Sequence, residues 1–199
     1  IFMQQEKDKL PCSPEWVEGI IGNGIFLSHP IEQFTSLYYI QLTSVGFDRV
    51  PMDYVKTHNI RIHNARGVYS IPMAEFAICG VLELYKQSCF FMKNQEDHQW
   101  EKHRGLMELS GKTVCIVGCG SVGTECAKKF KAFGCKVIGI DRFPYVSEYF
   151  EEMYSLSELE EYLIISDVVV LTLPLTEETY HIIDADKLEK MKKGAILVN

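Results

Sequence analysis

Gly111-Lys112-Thr113-Val114-Cys115-Ile116-Val117-Gly118-Cys119-Gly120-Ser121-Val122-Gly123, followed downstream by Asp141, is the stretch that decides the fold. Thr113–Val117 is a short apolar run of strand type. Gly118, Gly120 and Gly123 come next at G-x-G-x-x-G spacing, and Val122, Cys126, Phe130 and Phe133 recur at helical period. Lys136–Ile140 is a second strand-like run that ends on Asp141. Strand, glycine turn, helix, strand and acid form the order that a dinucleotide requires. Gly118 permits the tight turn, Gly120 lets backbone approach a pyrophosphate, and Gly123 lets helix and strand pack closely. The helix N-terminus offers N–H groups and the positive end of a dipole to phosphates. A carboxylate at 141 can accept hydrogen bonds from both ribose hydroxyls. A glycine triplet alone also describes an ordinary turn; here both flanks fit the nucleotide setting.

Upstream, residues 1 to about 71 read as a small α/β unit that begins inside a strand. Ile20-Ile21-Gly22-Asn23-Gly24 reads as a strand end and turn, and Tyr38 to Leu42 as a strand with the turn Thr43-Ser44-Val45-Gly46 after it. Met52 to His58 fits a helical turn or two, and Ile60 to Asn64 alternates with period two. A long helix follows, with Ser70 just before it and Pro72 in its first turn. Met73, Phe76, Ala77, Gly80, Val81 and Leu84 make one apolar stripe, and Ile78, Leu82 and Tyr85 add a second face. The expectation is a helix buried on most sides, between domains or against another subunit.

Downstream, strand and helix patterns alternate. Ser157-Glu158-Leu159-Glu160 is a capping-box candidate, Asp167 to Leu171 is a continuous apolar strand, Asp184 to Met191 a helix, and Gly194 to Asn199 a further strand.

Composition sets bounds. The 199 residues are 47% hydrophobic and 24% charged, as in an ordinary globular protein. A net charge of -7 and the lack of a basic stripe argue against a nucleic-acid partner. No apolar run is long enough for a membrane span, and the N-terminus lacks signal-peptide character. Seven cysteines without a C-x-x-C pair read as free thiols, mostly buried, of a reducing, cytoplasmic compartment. No His/Cys/Asp cluster has metal-ligand spacing, so no metal is expected.

Several separated segments carry a resemblance: Gln41 to Asp48, Asn64-Ala65-Arg66-Gly67, Met73-Ala74-Glu75, Leu109 to Thr113, the glycine turn with Asp141, Leu173-Pro174-Leu175-Thr176 with Thr179, and Met191 to Asn199. In this order and spacing the chain resembles the D-isomer-specific 2-hydroxyacid dehydrogenases. The resemblance implies a Rossmann-type doubly wound parallel sheet plus a smaller flavodoxin-like α/β substrate domain, both incomplete. The implied division is a substrate domain at 1–71, a crossover and dimer helix at 72–94, and an NAD-binding domain at 95–199. It also implies NAD as cofactor, a small 2-oxo or 2-hydroxy acid as substrate, and a homodimer. The implied cofactor residues are Gly118, Gly120, Ser121, Val122, Gly123, Asp141, Pro174 and Thr179; Ser44, Val45 and Gly46 would hold the substrate carboxylate on backbone N–H groups. Pro174 and Thr179 also have a plain reading as turn chemistry, and residues 43–46 as a strand-ending turn. Asp141 would repel a 2′-phosphate, while Arg142 beside it could attract one.

The chain departs from the family in one respect. Reduction of a 2-oxo acid needs a cation on the carbonyl and an acid for the developing alkoxide. The family supplies an Arg, a Glu and a His beyond the Asn matching Asn199, so no catalytic residue is assigned here, and residues 1–199 are expected to form an inactive, incomplete enzyme. His181 lies close to the cofactor-loop residues but reads as a partly exposed residue after a turn. Two alternatives stay open: an NAD-responsive regulatory protein of the same fold, and a formate- or phosphonate-type dehydrogenase.

Overall fold

The computed structural model describes residues 1–199, which form two compact units, Ile1–Val68 and Tyr69–Asn199. The first holds a three-stranded parallel sheet, β1 (Gly19–Gly22), β2 (Tyr39–Leu42) and β3 (Arg61–His63), in that spatial order, with the short helix α1 (Met52–Thr57) between β2 and β3. Ile20, Ile31, Phe34, Ile40, Leu42 and Val55 make its core. The strand expected at the chain start is not there: residues 1–18 carry only a short 3-10 turn, and Ile1, Phe2 and Met3 are exposed. Their apolar character is local, and no neighbouring strand takes them up.

The second unit contains α2 (Ser70–Lys86), α3 (Ser88–Glu96), β4 (Thr113–Val117), α4 (Ser121–Ala132), β5 (Lys136–Ile140), β6 (Glu152–Tyr154), α5 (Leu159–Ile165), β7 (Val168–Leu171), α6 (Ala185–Lys190) and β8 (Ile196–Val198). Its five strands are all parallel, in the order β6-β5-β4-β7-β8. This is the doubly wound order, in which the chain moves outward from β4 on one side and then crosses to the other. Successive side chains of β4 alternate between two covered faces. Val114 and Ile116 join the core with Ala74, Ile78, Val81 and Tyr85 of α2 and Cys126, Ala127 and Phe130 of α4. Cys115 and Val117 join Leu159 and Leu163 of α5 on the opposite face. Asp167 ties the sheet at its other end, accepting from the Thr113 N–H at 3.0 Å and from Lys192 Nζ at 2.6 Å. Burial pushes the Asp167 carboxyl up, but these donors outweigh it and hold the group below its ordinary value.

Four details differ from the sequence expectations. The helix anticipated through residue 94 is broken at Gln87, which adopts a left-handed conformation at φ 52° and caps α2 through its N–H. The apolar stripe of α2 is only partly the face it buries. Ala74, Ile78, Val81 and Tyr85 are covered, whereas Met73, Phe76 and Leu84 are 53%, 83% and 55% exposed. Both faces are apolar, so contact with α4 and the sheet makes the choice. The capping box forms at Ser155 and Glu158, where Glu158 Oε2 accepts from the Ser155 N–H at 3.0 Å. Glu160 instead pairs with Lys190. The segment reads Ser-x-x-Glu in two overlapping registers, and the end of β6 at Tyr154 selects the earlier one. Strand β6 itself is short and carries no clear period.

All seven cysteines are free thiols. Burial pushes Cys115 up to about 12 and Cys126 and Cys135 to about 11. Burial, with Asp141 nearby, pushes Cys119 up strongly as well. A thiol reagent applied to native protein is therefore expected to modify the exposed Cys79 and Cys89 and to spare Cys115, Cys119, Cys126 and Cys135 until unfolding. Mass spectrometry of the labelled peptides checks this.

Candidate cofactor site

The carboxyl ends of β4, β5 and β7 converge on the glycine turn, the switch point of a doubly wound sheet and the place where such sheets bind ligands. Each glycine has its own reason. Gly118 sits at φ 96°, and a Cβ there would lie 2.8 Å from the Leu173 backbone nitrogen. A Cβ at Gly123 would be driven into the Gly118 carbonyl oxygen and would lie 3.0 Å from Thr172 Oγ1. Gly120 is the contrast: nothing lies within 4 Å of a Cβ built on it, so open space adjoins the backbone there. Gly120 is also the N-cap of α4 and brings no side chain to the first-turn N–H groups. Packed glycines that fix the turn, with open space above the middle one, fit a pyrophosphate resting on the start of α4.

Asp141 lies directly after β5, half-buried. Its Oδ2 accepts from the Cys119 N–H at 2.7 Å and its Oδ1 from the Phe143 N–H at 2.9 Å. The carboxylate is thus fixed against the glycine turn, and each oxygen retains capacity for a further donor such as a ribose hydroxyl. Arg142, next in the chain, pairs with Glu178 at 3.0 Å. Tyr145 donates its hydroxyl to the Cys119 carbonyl at 2.7 Å, and Thr172 bonds the Gly118 carbonyl, so side chains from the loops after β5 and β7 also hold the turn. Sequence reading missed both; neither residue belongs to the glycine motif, and only the fold brings them to it.

Pro174 and Thr179 follow β7. The Thr179 hydroxyl donates to the Pro174 carbonyl at 2.6 Å and accepts from the Thr176 N–H at 2.8 Å, which is turn chemistry. Within the same loop His181 stacks on Tyr180 with ring centroids 4.0 Å apart and is exposed.

The first unit places Ser44, Val45 and Gly46 in the turn after β2. The Asn64 amide donates to the Val45 carbonyl at 2.8 Å, and the Ala65 N–H to the Ser44 carbonyl at 2.9 Å. The turn's carbonyls are thereby engaged, while the N–H groups of Ser44, Val45 and Gly46 bond to no backbone carbonyl. Beside it, the Glu6 carboxylate accepts from the N–H groups of Asn23 and Gly24 at the end of β1, a closure that no sequence pattern announced. No group of three or more His, Cys, Asp or Glu is placed to hold a metal ion, and no helix is long and apolar enough to cross a membrane.

The family described as D-isomer specific 2-hydroxyacid dehydrogenase, NAD binding domain, matches residues 78–199. A D-lactate dehydrogenase of Lactiplantibacillus pentosus is 32% identical over 162 residues, covering 80% of this chain and 48% of the relative. A glyoxylate reductase of Thermofilum pendens is 33% identical over 214 residues, covering the whole chain and 63% of the relative. Among solved structures, a D-lactate dehydrogenase of Aquifex aeolicus complexed with NAD and lactic acid superposes with a TM-score of 0.79 at 26% identity, over 92% of this chain and 56% of that one. The chain spans about half the length of curated relatives such as the first of these.

Proposed function

This chain belongs to the D-isomer specific 2-hydroxyacid dehydrogenase family, and from that premise we propose that the whole protein interconverts a small 2-oxo acid and a D-2-hydroxy acid. The observation that carries the reading is the fixed Asp141 carboxylate facing a glycine turn with open space at Gly120. In this reading Gly118, Gly120 and Gly123 shape the pyrophosphate cradle, and Ser121 and Val122 lie beneath it. Asp141 takes the adenosine ribose, and Pro174 and Thr179 line the cleft. NADH, when bound, supplies the hydride from its nicotinamide ring. The substrate carboxylate rests on the N–H groups of Ser44, Val45 and Gly46, a turn able to aim consecutive donors at an anion.

Residues 1–199 hold no catalytic acid in this proposal. His29 bonds the Asp8 carbonyl, His58 stacks on Tyr54, His63 lies against Tyr39, His103 against Phe90 and His181 on Tyr180. The remaining histidine, His98, occupies a left-handed turn position at φ 53°. These are local contacts of turns, strands and helices. No histidine of residues 1–199 is assigned as that acid, and in this proposal residues 1–199 alone bind nucleotide without turnover. The exposed face of α2, with Met73, Phe76 and Leu84, supports a homodimer, and seven free thiols support a cytoplasmic setting.

The test uses the full-length protein with NADH and a panel of 2-oxo acids including pyruvate, glyoxylate and hydroxypyruvate. NADH consumption with at least one is expected. Consumption with none, alongside NAD reduction by formate or phosphite, would move the assignment to another dehydrogenase; NADH binding with no turnover on any of these would favour a regulatory role. In the same assays Asp141→Ala should weaken NADH binding roughly tenfold or more, since it removes a charged acceptor for two hydroxyls. Unchanged affinity would take Asp141 out of the site.

A further inference from the structure

We propose that Glu178 determines the choice between NAD and NADP by holding Arg142 away from the ribose 2′ position. The inference rests on the placement of the adenosine ribose at Asp141. Arg142 follows that acid directly, and Glu178 sits in the loop after β7. In the sheet, β4 lies between β5 and β7, so the Arg142 Nη1–Glu178 Oε2 pair at 3.0 Å joins loops from either side of the strand that ends in the glycine turn. The Arg142 guanidinium also lies over the Phe143 ring, 5.5 Å from its centroid.

The charge distribution makes Arg142 decisive. It is the only Lys or Arg in residues 141–151 and 172–184, whereas the acids there include Asp141, Glu177 and Glu178. An arginine near the acid at the end of the second strand is the usual means of accepting a 2′-phosphate, because its planar fork can bind two phosphate oxygens at once. In this chain that fork is engaged by a carboxylate. Both partners are more than half exposed, so the pair adds little to folding stability. Its effect lies in where the guanidinium sits. A 2′-phosphate placed at Asp141 meets that carboxylate with Glu178 close by, and the arginine that follows Asp141 in the chain is already engaged. NADH, with a hydroxyl at that position, needs only Asp141.

The experiment is calorimetric titration of the full-length protein with NADH and with NADPH at low ionic strength, for wild type, Glu178→Gln, and the double variant Arg142→Gln/Glu178→Gln. Glu178→Gln keeps side-chain length and removes the charge. It should tighten NADPH binding by about three- to fivefold, the scale of one exposed ion pair that no longer competes for the guanidinium, while NADH affinity stays at the wild-type value. The double variant should lose the gain. An unchanged NADPH-to-NADH ratio in Glu178→Gln, or a gain that survives removal of Arg142, would overturn the proposal. NADH affinity retained in both variants shows that fold and cradle are intact. A wild type that binds neither nucleotide would overturn the cofactor reading of Asp141, and this inference with it.

Discussion

Gly123→Ala is expected to lower NADH affinity by roughly tenfold or more, the scale of losing a charge-assisted hydrogen bond from the cradle to a phosphate. The added Cβ would be driven into the Gly118 carbonyl oxygen, with Thr172 Oγ1 3.0 Å away on another side. The first of these is backbone and cannot rotate aside, so either the turn or α4 must shift, and overpacking of this kind costs about 1–3 kcal/mol of stability. Gly120→Ala is the matched control. Gly120 has φ -71° and ψ -158°, which alanine adopts freely, and its Cβ would meet nothing within 4 Å. It should leave the melting temperature unchanged yet weaken NADH binding, because the methyl group takes the open space proposed for the pyrophosphate. Equal NADH affinity in Gly120→Ala and wild type would show that the pyrophosphate lies elsewhere; an unchanged melting temperature and affinity in Gly123→Ala would show that the turn is not constrained as described.

Val81→Asp should leave no folded second unit. Val81 is fully buried among Ala74, Ile78 and Tyr85 of its own helix and the packed residues of α4 and the sheet. A carboxylate there has no partner, and an unpaired buried charge costs roughly 4–5 kcal/mol or more, a large part of the about 5–15 kcal/mol that holds a domain together. Val81→Ala, which only removes methyl groups, gives a graded readout with an expected loss of about 2 kcal/mol by denaturant titration. Leu84→Asp, one turn along but 55% exposed, should leave unfolding nearly unchanged and reduce self-association measured by sedimentation if this face joins two subunits. A dimer fraction unaffected by Leu84→Asp would remove the face from the interface. Folded, stable Val81→Asp would contradict the packing of α2 on α4.

Much of the geometry of the candidate site was legible in the sequence because its requirements are local. A glycine that must turn at positive φ, a glycine that must admit another backbone, and an acid placed at a strand end are demands on single residues, and Gly118, Gly123 and Asp141 meet them at the places where the structure needs them. The supporting contacts were not legible. Tyr145 on the Cys119 carbonyl and Thr172 on the Gly118 carbonyl come from loops distant in sequence, and a tyrosine or threonine in a loop signals nothing until its partner is known. The same holds for Arg142, whose residue type fits either cofactor and whose meaning depends on Glu178 in another loop.

The amino-acid sequence by itself determined that this chain carries a strand–glycine turn–helix–strand–acid unit, that apolar strands such as 168–171 lie in a sheet covered on both faces, and that most of the chain, from about residue 36, resembles NAD-linked 2-hydroxyacid dehydrogenases. Periodicity, turn chemistry and residue size are properties of short windows, and a short window suffices to read them. Only the tertiary structure decided the strand order β6-β5-β4-β7-β8, the break at Gln87, the register of the capping box, and which apolar face of α2 is covered. In each of these the local sequence permits two or more arrangements of similar energy. The choice falls to whichever neighbouring element arrives to bury apolar surface or satisfy a backbone group, and those neighbours are drawn from distant parts of the chain.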